Sequence, residues 1–143
     1  PEYRPSWASG GGGLISTALD YSRFAGMLLG QGSLDGVTIL QPETVTAMST
    51  NHVSPAQMPS DMAGIGYGYG LGIVLPGSED APALGIPGDI SWGGLFDTDF
   101  FVGPAPGLGA VMMTQEIPTP NRPEGRTGSW WRAAAYDTLP QEE

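Results

Sequence analysis

Glycine and proline interrupt this chain so often that no long regular element fits into it. The 23 glycines and 14 prolines make up about a quarter of its 143 residues, and both are disfavoured inside helices and central strands. Low-complexity chains often have such a composition. Here the 40% hydrophobic and 9% aromatic content argues against disorder, because a disordered chain lacks apolar surface to set against its conformational entropy. The expectation is one turn-rich domain, of a size that builds one ordinary core.

Between the interruptions, hydrophobic spacing predicts a small set of elements. Residues 1–13 read as a loop ending in the run Gly10-Gly11-Gly12-Gly13. Thr17, with Asp20 three residues on, is a variant of the capping box. Ala18, Tyr21, Phe24, Ala25, Leu28 and Leu29 then share one helical face, which predicts a helix over 17–29 with Gly30 as its stop. Asp35-Gly36 predicts a turn leading into a short strand at 37–40. Pro42 and Glu43 suit a first helical turn, and Val45 and Met48 extend that helix to 49. Residues 67–75, in which glycine alternates with larger residues, read as a strand with one glycine face. Three further strands are expected at 89–94, 97–103 and 108–115, the last two joined through Gly103-Pro104-Ala105-Pro106-Gly107. A final helix is expected at 129–138. The pattern is α+β, an antiparallel sheet with helices packed on one face.

Several functions are excluded by composition. Fifteen acidic residues oppose five arginines, there is no lysine, and the formal charge is −10. Nucleic-acid binding and polybasic membrane contact both need a basic surface, so neither is expected. No cysteine is present, which removes disulfides, thiolate metal sites and a cysteine nucleophile. His52 is the one histidine, so a histidine-based metal site is not expected, and no cofactor is indicated. His52 is expected to be a loop or packing residue. No serine lies in a Gly-x-Ser-x-Gly elbow. The glycines at 66, 68, 70 and 72 lack the spacing of a dinucleotide loop. Asp97 and Asp99 alternate on a predicted strand and are expected to be an exposed pair near a turn, since glycosidase chemistry is the rarer use of such a pair. The first residue is Pro1, so the native N-terminus is expected to be missing or processed, and the compartment is left open.

Three stretches taken together resemble the β-lactamase-like serine hydrolases, which include class C β-lactamases, penicillin-binding proteins, D-aminopeptidases and family VIII carboxylesterases. Residues 9–48, SGGGGLISTALDYSRFAGMLLGQGSLDGVTILQPETVTAM, carry the first part of the likeness. Residues 67–75 resemble the strand before the family's third motif, and 90–115, ISWGGLFDTDFFVGPAPGLGAVMMTQ, resemble that motif and the hairpin after it. Trp92-Gly93-Gly94 stands where β-lactamases have Lys-Thr-Gly, as in the family VIII esterases.

The resemblance implies a serine nucleophile in Ser-x-x-Lys, a tyrosine in a Tyr-x-Asn-like motif, and an acyl-enzyme. It implies that Leu95 donates one backbone N–H to the oxyanion, with Trp92, Gly93 and Gly94 lining the substrate cleft. Without lysine this chain cannot hold Ser-x-x-Lys, and none of its tyrosines begins Tyr-x-Asn. In the family both motifs lie upstream. Residues 1–143 are therefore expected to be one partial domain, the C-terminal portion of a hydrolase that is inactive alone. An ester or amide substrate is expected, as is association with the missing N-terminal part or a second copy. Trp92 in place of lysine favours an uncharged ester over a β-lactam acid. A β-lactamase, a D-aminopeptidase, or a non-catalytic binding or self-association module of the same fold are the alternatives left open.

Overall fold

A computed structural model describes Trp7 and residues 11–12, 14–58, 64–77, 85–117 and 128–140. The first helix, α1, runs Ala18–Leu29. Its Thr17 cap forms as expected: Thr17 Oγ1 accepts the Asp20 N–H at 3.1 Å and donates to the Asp20 carboxylate at 2.9 Å. The C-terminus differs from expectation by one residue. Gly30 has φ −76° and is the cap itself, while Gln31 takes the left-handed position at φ 51°. Bonds from Gly32 N–H to Met27 O and from Gln31 N–H to Leu28 O close the helix end, the pattern of a Schellman motif.

A two-stranded hairpin follows, β1 (Ser33–Leu34) with β2 (Val37–Thr38). Asp35 and Gly36 both have positive φ at its tip, as a tight hairpin turn requires. The short helix α2 spans Pro42–Met48, with Pro42 in its first turn and Val45 buried. Residues 51–58 are loop apart from one turn of 3₁₀ helix at Pro55–Gln57.

The sheet has five antiparallel strands in chain order: β3 (Ile65–Tyr67), β4 (Gly72–Val74), β5 (Ile90–Gly93), β6 (Asp99–Gly103) and β7 (Leu108–Met112). The single strand expected at 67–75 is thus two strands. The chain reverses at 68–71, where Gly70 has φ 78° and the Gly68 N–H bonds the Leu71 carbonyl. Tyr67 consequently pairs with Gly72 across the hairpin. Gly68 also lies against the end of α2, where any Cβ would overlap the Met48 carbonyl oxygen.

β6 is buried along its whole length. Phe100 and Val102 join the core cluster with Ala25 and Leu28 of α1, and the Phe100 ring packs on Tyr21 and Phe24. Phe101 points the other way, onto Trp131 and Tyr136 of the last helix, α3 (Gly128–Tyr136). Helices therefore cover both faces, not one. A strand covered on both sides reads as a continuous apolar run, which the sequence Asp99-Phe100-Phe101-Val102-Gly103 very nearly is. Burying Phe101 completely contributes about 2–3 kcal/mol.

Two carboxylates fasten α3 to the sheet. Asp99 accepts the Trp131 indole N–H at 3.1 Å and Arg132 Nε at 3.0 Å, with Arg132 Nη2 at 2.9 Å from each oxygen. Asp89 accepts the Tyr136 hydroxyl at 2.5 Å and the Ile86 N–H at 2.8 Å. Among the described residues no helix is long and apolar enough to cross a membrane.

The Gly68 contact yields a stability prediction. Gly68→Ala must displace backbone and is expected to destabilise the fold by about 1–3 kcal/mol. Gly11→Ala, where a Cβ meets nothing within 4 Å, is expected to change it by less than about 0.5 kcal/mol. Chemical denaturation of both variants checks the contrast.

Candidate active-site wall

The β5–β6 connection is a tight turn whose backbone is nearly fully specified. The Gly94 N–H donates to Thr98 O at 2.7 Å, and the Asp97 N–H donates back to Gly94 O at 3.2 Å. Asp97 takes φ 60°, a conformation Asp tolerates better than most residues. That is why β6 begins at Asp99 and not at 97. Leu95 follows the first residue of the β-turn, where the turn's own hydrogen bond makes no use of the N–H. The Leu95 N–H has no acceptor among the described residues.

Apolar residues lie close to Leu95 in sequence, and their side chains reach solvent. Trp92, Leu95 and Phe96 are 48%, 70% and 45% exposed, and Tyr67 meets Trp92 edge-on with ring centroids 5.8 Å apart. The two glycines of the motif differ in kind. At Gly94 a Cβ would meet the Thr98 hydroxyl, which would have to rotate away, while the next nearest atoms lie at 3.7 Å and beyond. At Gly93 the nearest atom to a Cβ is Thr98 O at 3.6 Å, an ordinary contact, so packing does not demand glycine. Phe96 was not singled out from the sequence. Nor was Thr114, whose hydroxyl donates to Phe96 O. The hairpin register pairs Asp99 with Met112; continued two residues, it sets 114 opposite 97, which is the signal that could have found it.

No described cation faces this wall freely. Arg23 pairs with Asp35 at 3.1 Å on the surface of α1, and Arg132 is held by Asp99 with only 13% of its side chain exposed. Asp97 and Asp99, expected as an exposed pair on one strand, are both buried, and only Asp99 lies in the strand. The Arg132 fork explains the burial of Asp99, since a carboxylate leaves water only when its charge is matched. Burial pushes the Asp99 carboxyl up, with Arg132 and Trp131 opposing the rise. Burial likewise raises Asp89, against hydrogen bonds from Tyr136 and Ile86. Desolvation and the neighbouring Asp89 carboxylate push the Tyr136 phenol up in turn.

His52 has the structural place expected of it. Its Nε2 lies 2.9 Å from Ala47 O near the end of α2, and its ring stacks on Tyr69 at 4.6 Å. Of the glycine run, Gly10 and Gly13 lie outside the described residues, and Cβ atoms at Gly11 and Gly12 would meet open space. Among the described residues no cluster of three His, Asp or Glu side chains is placed to hold a metal ion.

The sequence model of the Beta-lactamase family matches residues 1–135, and the chain belongs to that family. Protein Rv1367c of Mycobacterium tuberculosis strain H37Rv is 37% identical over 123 residues, which is 80% of this chain and 30% of that protein. The protein MT1414 of strain CDC 1551 matches equally well. The chain thus spans about 30% of the length of these relatives. Among solved structures it resembles EstCE1, a hydrolase with promiscuous acyltransferase activity, at 26% identity and TM-score 0.63, covering 83% of this chain and 29% of that one. Simvastatin synthase LovD from Aspergillus terreus shares the fold at 22% identity and TM-score 0.61, covering 82% of this chain and 34% of LovD. The fold is that of the β-lactamase-like serine hydrolases.

The raised Asp89 predicts a pH dependence. In the folded protein Asp89 binds its proton more tightly than the ordinary Asp value of 3.8. Its contribution to stability is therefore fully present below that value and is lost as pH rises through the folded value. The melting temperature of the wild type, relative to Asp89→Asn, is expected to fall between pH 4 and pH 7. Thermal melts of both proteins across that range check the sign.

Proposed function

We propose that this chain is the C-terminal portion of a carboxylesterase acting through an acyl-enzyme. In this reading it forms one partial domain, residues 1–143, and supplies the β5 strand and one oxyanion donor. The observation that carries it is the neutral wall itself: Trp92, Gly93 and Gly94 lead to the Leu95 N–H, which takes no acceptor among the described residues. Likeness to EstCE1, a hydrolase with promiscuous acyltransferase activity, supports the same assignment. The serine, lysine and tyrosine would come from the rest of the polypeptide. Leu14, Ile15 and Leu19, which are 98%, 96% and 75% exposed, support its packing beside α1.

The chemistry follows from the placement. The serine oxygen adds to the ester carbonyl, and the carbonyl π pair moves onto oxygen. The lysine–tyrosine pair takes the serine proton and returns it to the departing alkoxide as the C–O bond breaks. Water then repeats the sequence on the acyl-enzyme. Leu95 N–H and the serine's own N–H hold the oxyanion in both halves, where a fixed donor costs no reorganisation. Trp92 in place of a lysine removes one charge that would meet a substrate carboxylate, which favours an uncharged ester.

Leu95→Pro tests this directly in the intact hydrolase. Proline removes the N–H and suits the second position of a β-turn. It is expected to lower kcat for p-nitrophenyl acetate about 10²–10³-fold. Leu95→Ala, which keeps the N–H, is expected to stay within about fivefold. An active Leu95→Pro variant would remove Leu95 from the oxyanion site.

A further inference from the structure

We propose that Thr114 is a positioning residue for the Leu95 oxyanion donor, acting through two peptide groups of the β5–β6 turn. The proposal rests on the reading of Leu95 given above. Thr114 lies beyond the end of β7 at Met112, so the strand ladder gives it no role. Its hydroxyl donates to the Phe96 carbonyl, and the Glu116 N–H donates to the same oxygen at 3.2 Å. The other end of that peptide group is the Asp97 N–H, which donates to Gly94 O at 3.2 Å. The Gly94 carbonyl belongs in turn to the peptide group that carries the Leu95 N–H. The order is Thr114 hydroxyl, Phe96–Asp97 peptide, Gly94–Leu95 peptide, oxyanion.

Two effects make this arrangement useful. The first is orientation. An oxyanion donor is effective when its direction is fixed before charge develops. Asp97 N–H fixes the Gly94–Leu95 plane, and Thr114 and Glu116 fix the plane that carries Asp97. The second is polarisation. Hydrogen bonds in a chain strengthen one another, by roughly 10–30% per bond, and here every dipole points the same way. Donation to Phe96 O makes Asp97 N–H a stronger donor. Donation to Gly94 O does the same for Leu95 N–H. Without the Thr114 hydroxyl, the Phe96 carbonyl keeps only the longer bond from Glu116 among the described residues.

The test is a double-mutant cycle in the intact hydrolase with p-nitrophenyl acetate. Thr114→Val keeps the shape and removes the hydroxyl; it is expected to lower kcat about tenfold with KM within twofold, less than loss of the donor itself. Thr114→Ala must show the same loss, and Thr114→Ser must restore kcat to within about twofold of wild type. In the Leu95→Pro background, where the Leu95 N–H that the relay orients is gone, Thr114→Val is expected to change kcat by less than twofold. Equal losses in both backgrounds, or a Thr114→Ser variant as slow as Thr114→Val, would overturn the relay and leave a merely structural threonine. A wild-type kcat in Thr114→Val would overturn it as well. If Leu95→Pro collapses while Thr114→Val does not, the relay fails and Leu95 stands. An active Leu95→Pro defeats the underlying reading instead.

Discussion

Asp99 occupies the first position of β6, directly opposite Gly93 of β5, and its carboxylate receives the Arg132 fork and the Trp131 indole from α3. The pair is nearly dry, with 7% of the Asp99 side chain exposed. Matching the two charges roughly offsets the cost of taking them out of water, whereas losing Arg132 alone would strand a buried carboxylate at about 3–5 kcal/mol. The pair therefore specifies more than it stabilises. It ties α3 to the sheet at the first residue of β6, immediately after the turn that carries Leu95. The Phe101 contacts with Trp131 and Tyr136 complete that face. Phe100 and Val102 can then be turned wholly toward α1.

From this anchoring the character of the wall follows. Arg132 is engaged by Asp99 on the α3 side of the sheet, and Arg23 lies on α1 beside Asp35. Among the described residues of β5 and its turn, Trp92, Leu95 and Phe96 present exposed apolar side chains. In the proposed reading such a surface would offer an acyl group apolar contact and the reacting oxygen a directed N–H dipole. The two glycines meet different surroundings: a Cβ at Gly94 would push on the Thr98 hydroxyl, and one at Gly93 would meet only ordinary contacts.

Much of the scaffold was legible because it depends on neighbours close in sequence. Thr17 and Asp20 cap a helix three residues apart, the apolar stripe to Leu29 follows a helical period, and the Gly103–Gly107 run marks a hairpin. Tyr67 to Leu75 misled because glycine alternating with large residues satisfies a strand's period. The chain instead reverses at 68–71, where Gly70 has positive φ and Gly68 lies against Met48, a contact between distant segments. The burial of Asp97 and Asp99 was hidden for the same reason, since the Arg132 that explains Asp99 lies 33 residues further on. The wall at Trp92 to Leu95 was reached through family likeness, because a Trp-Gly-Gly triplet has no chemistry of its own. Thr114 needed the register of β6 against β7.

The central claim is that these 143 residues furnish a cleft wall and an oxyanion donor but no nucleophile. Intact mass spectrometry after incubation with a serine-directed fluorophosphonate tests it most directly. The 143-residue chain is predicted to keep its unmodified mass, and the longer polypeptide that contains it to gain one adduct on a serine outside these residues. An adduct on any serine within residues 1–143 would contradict the account.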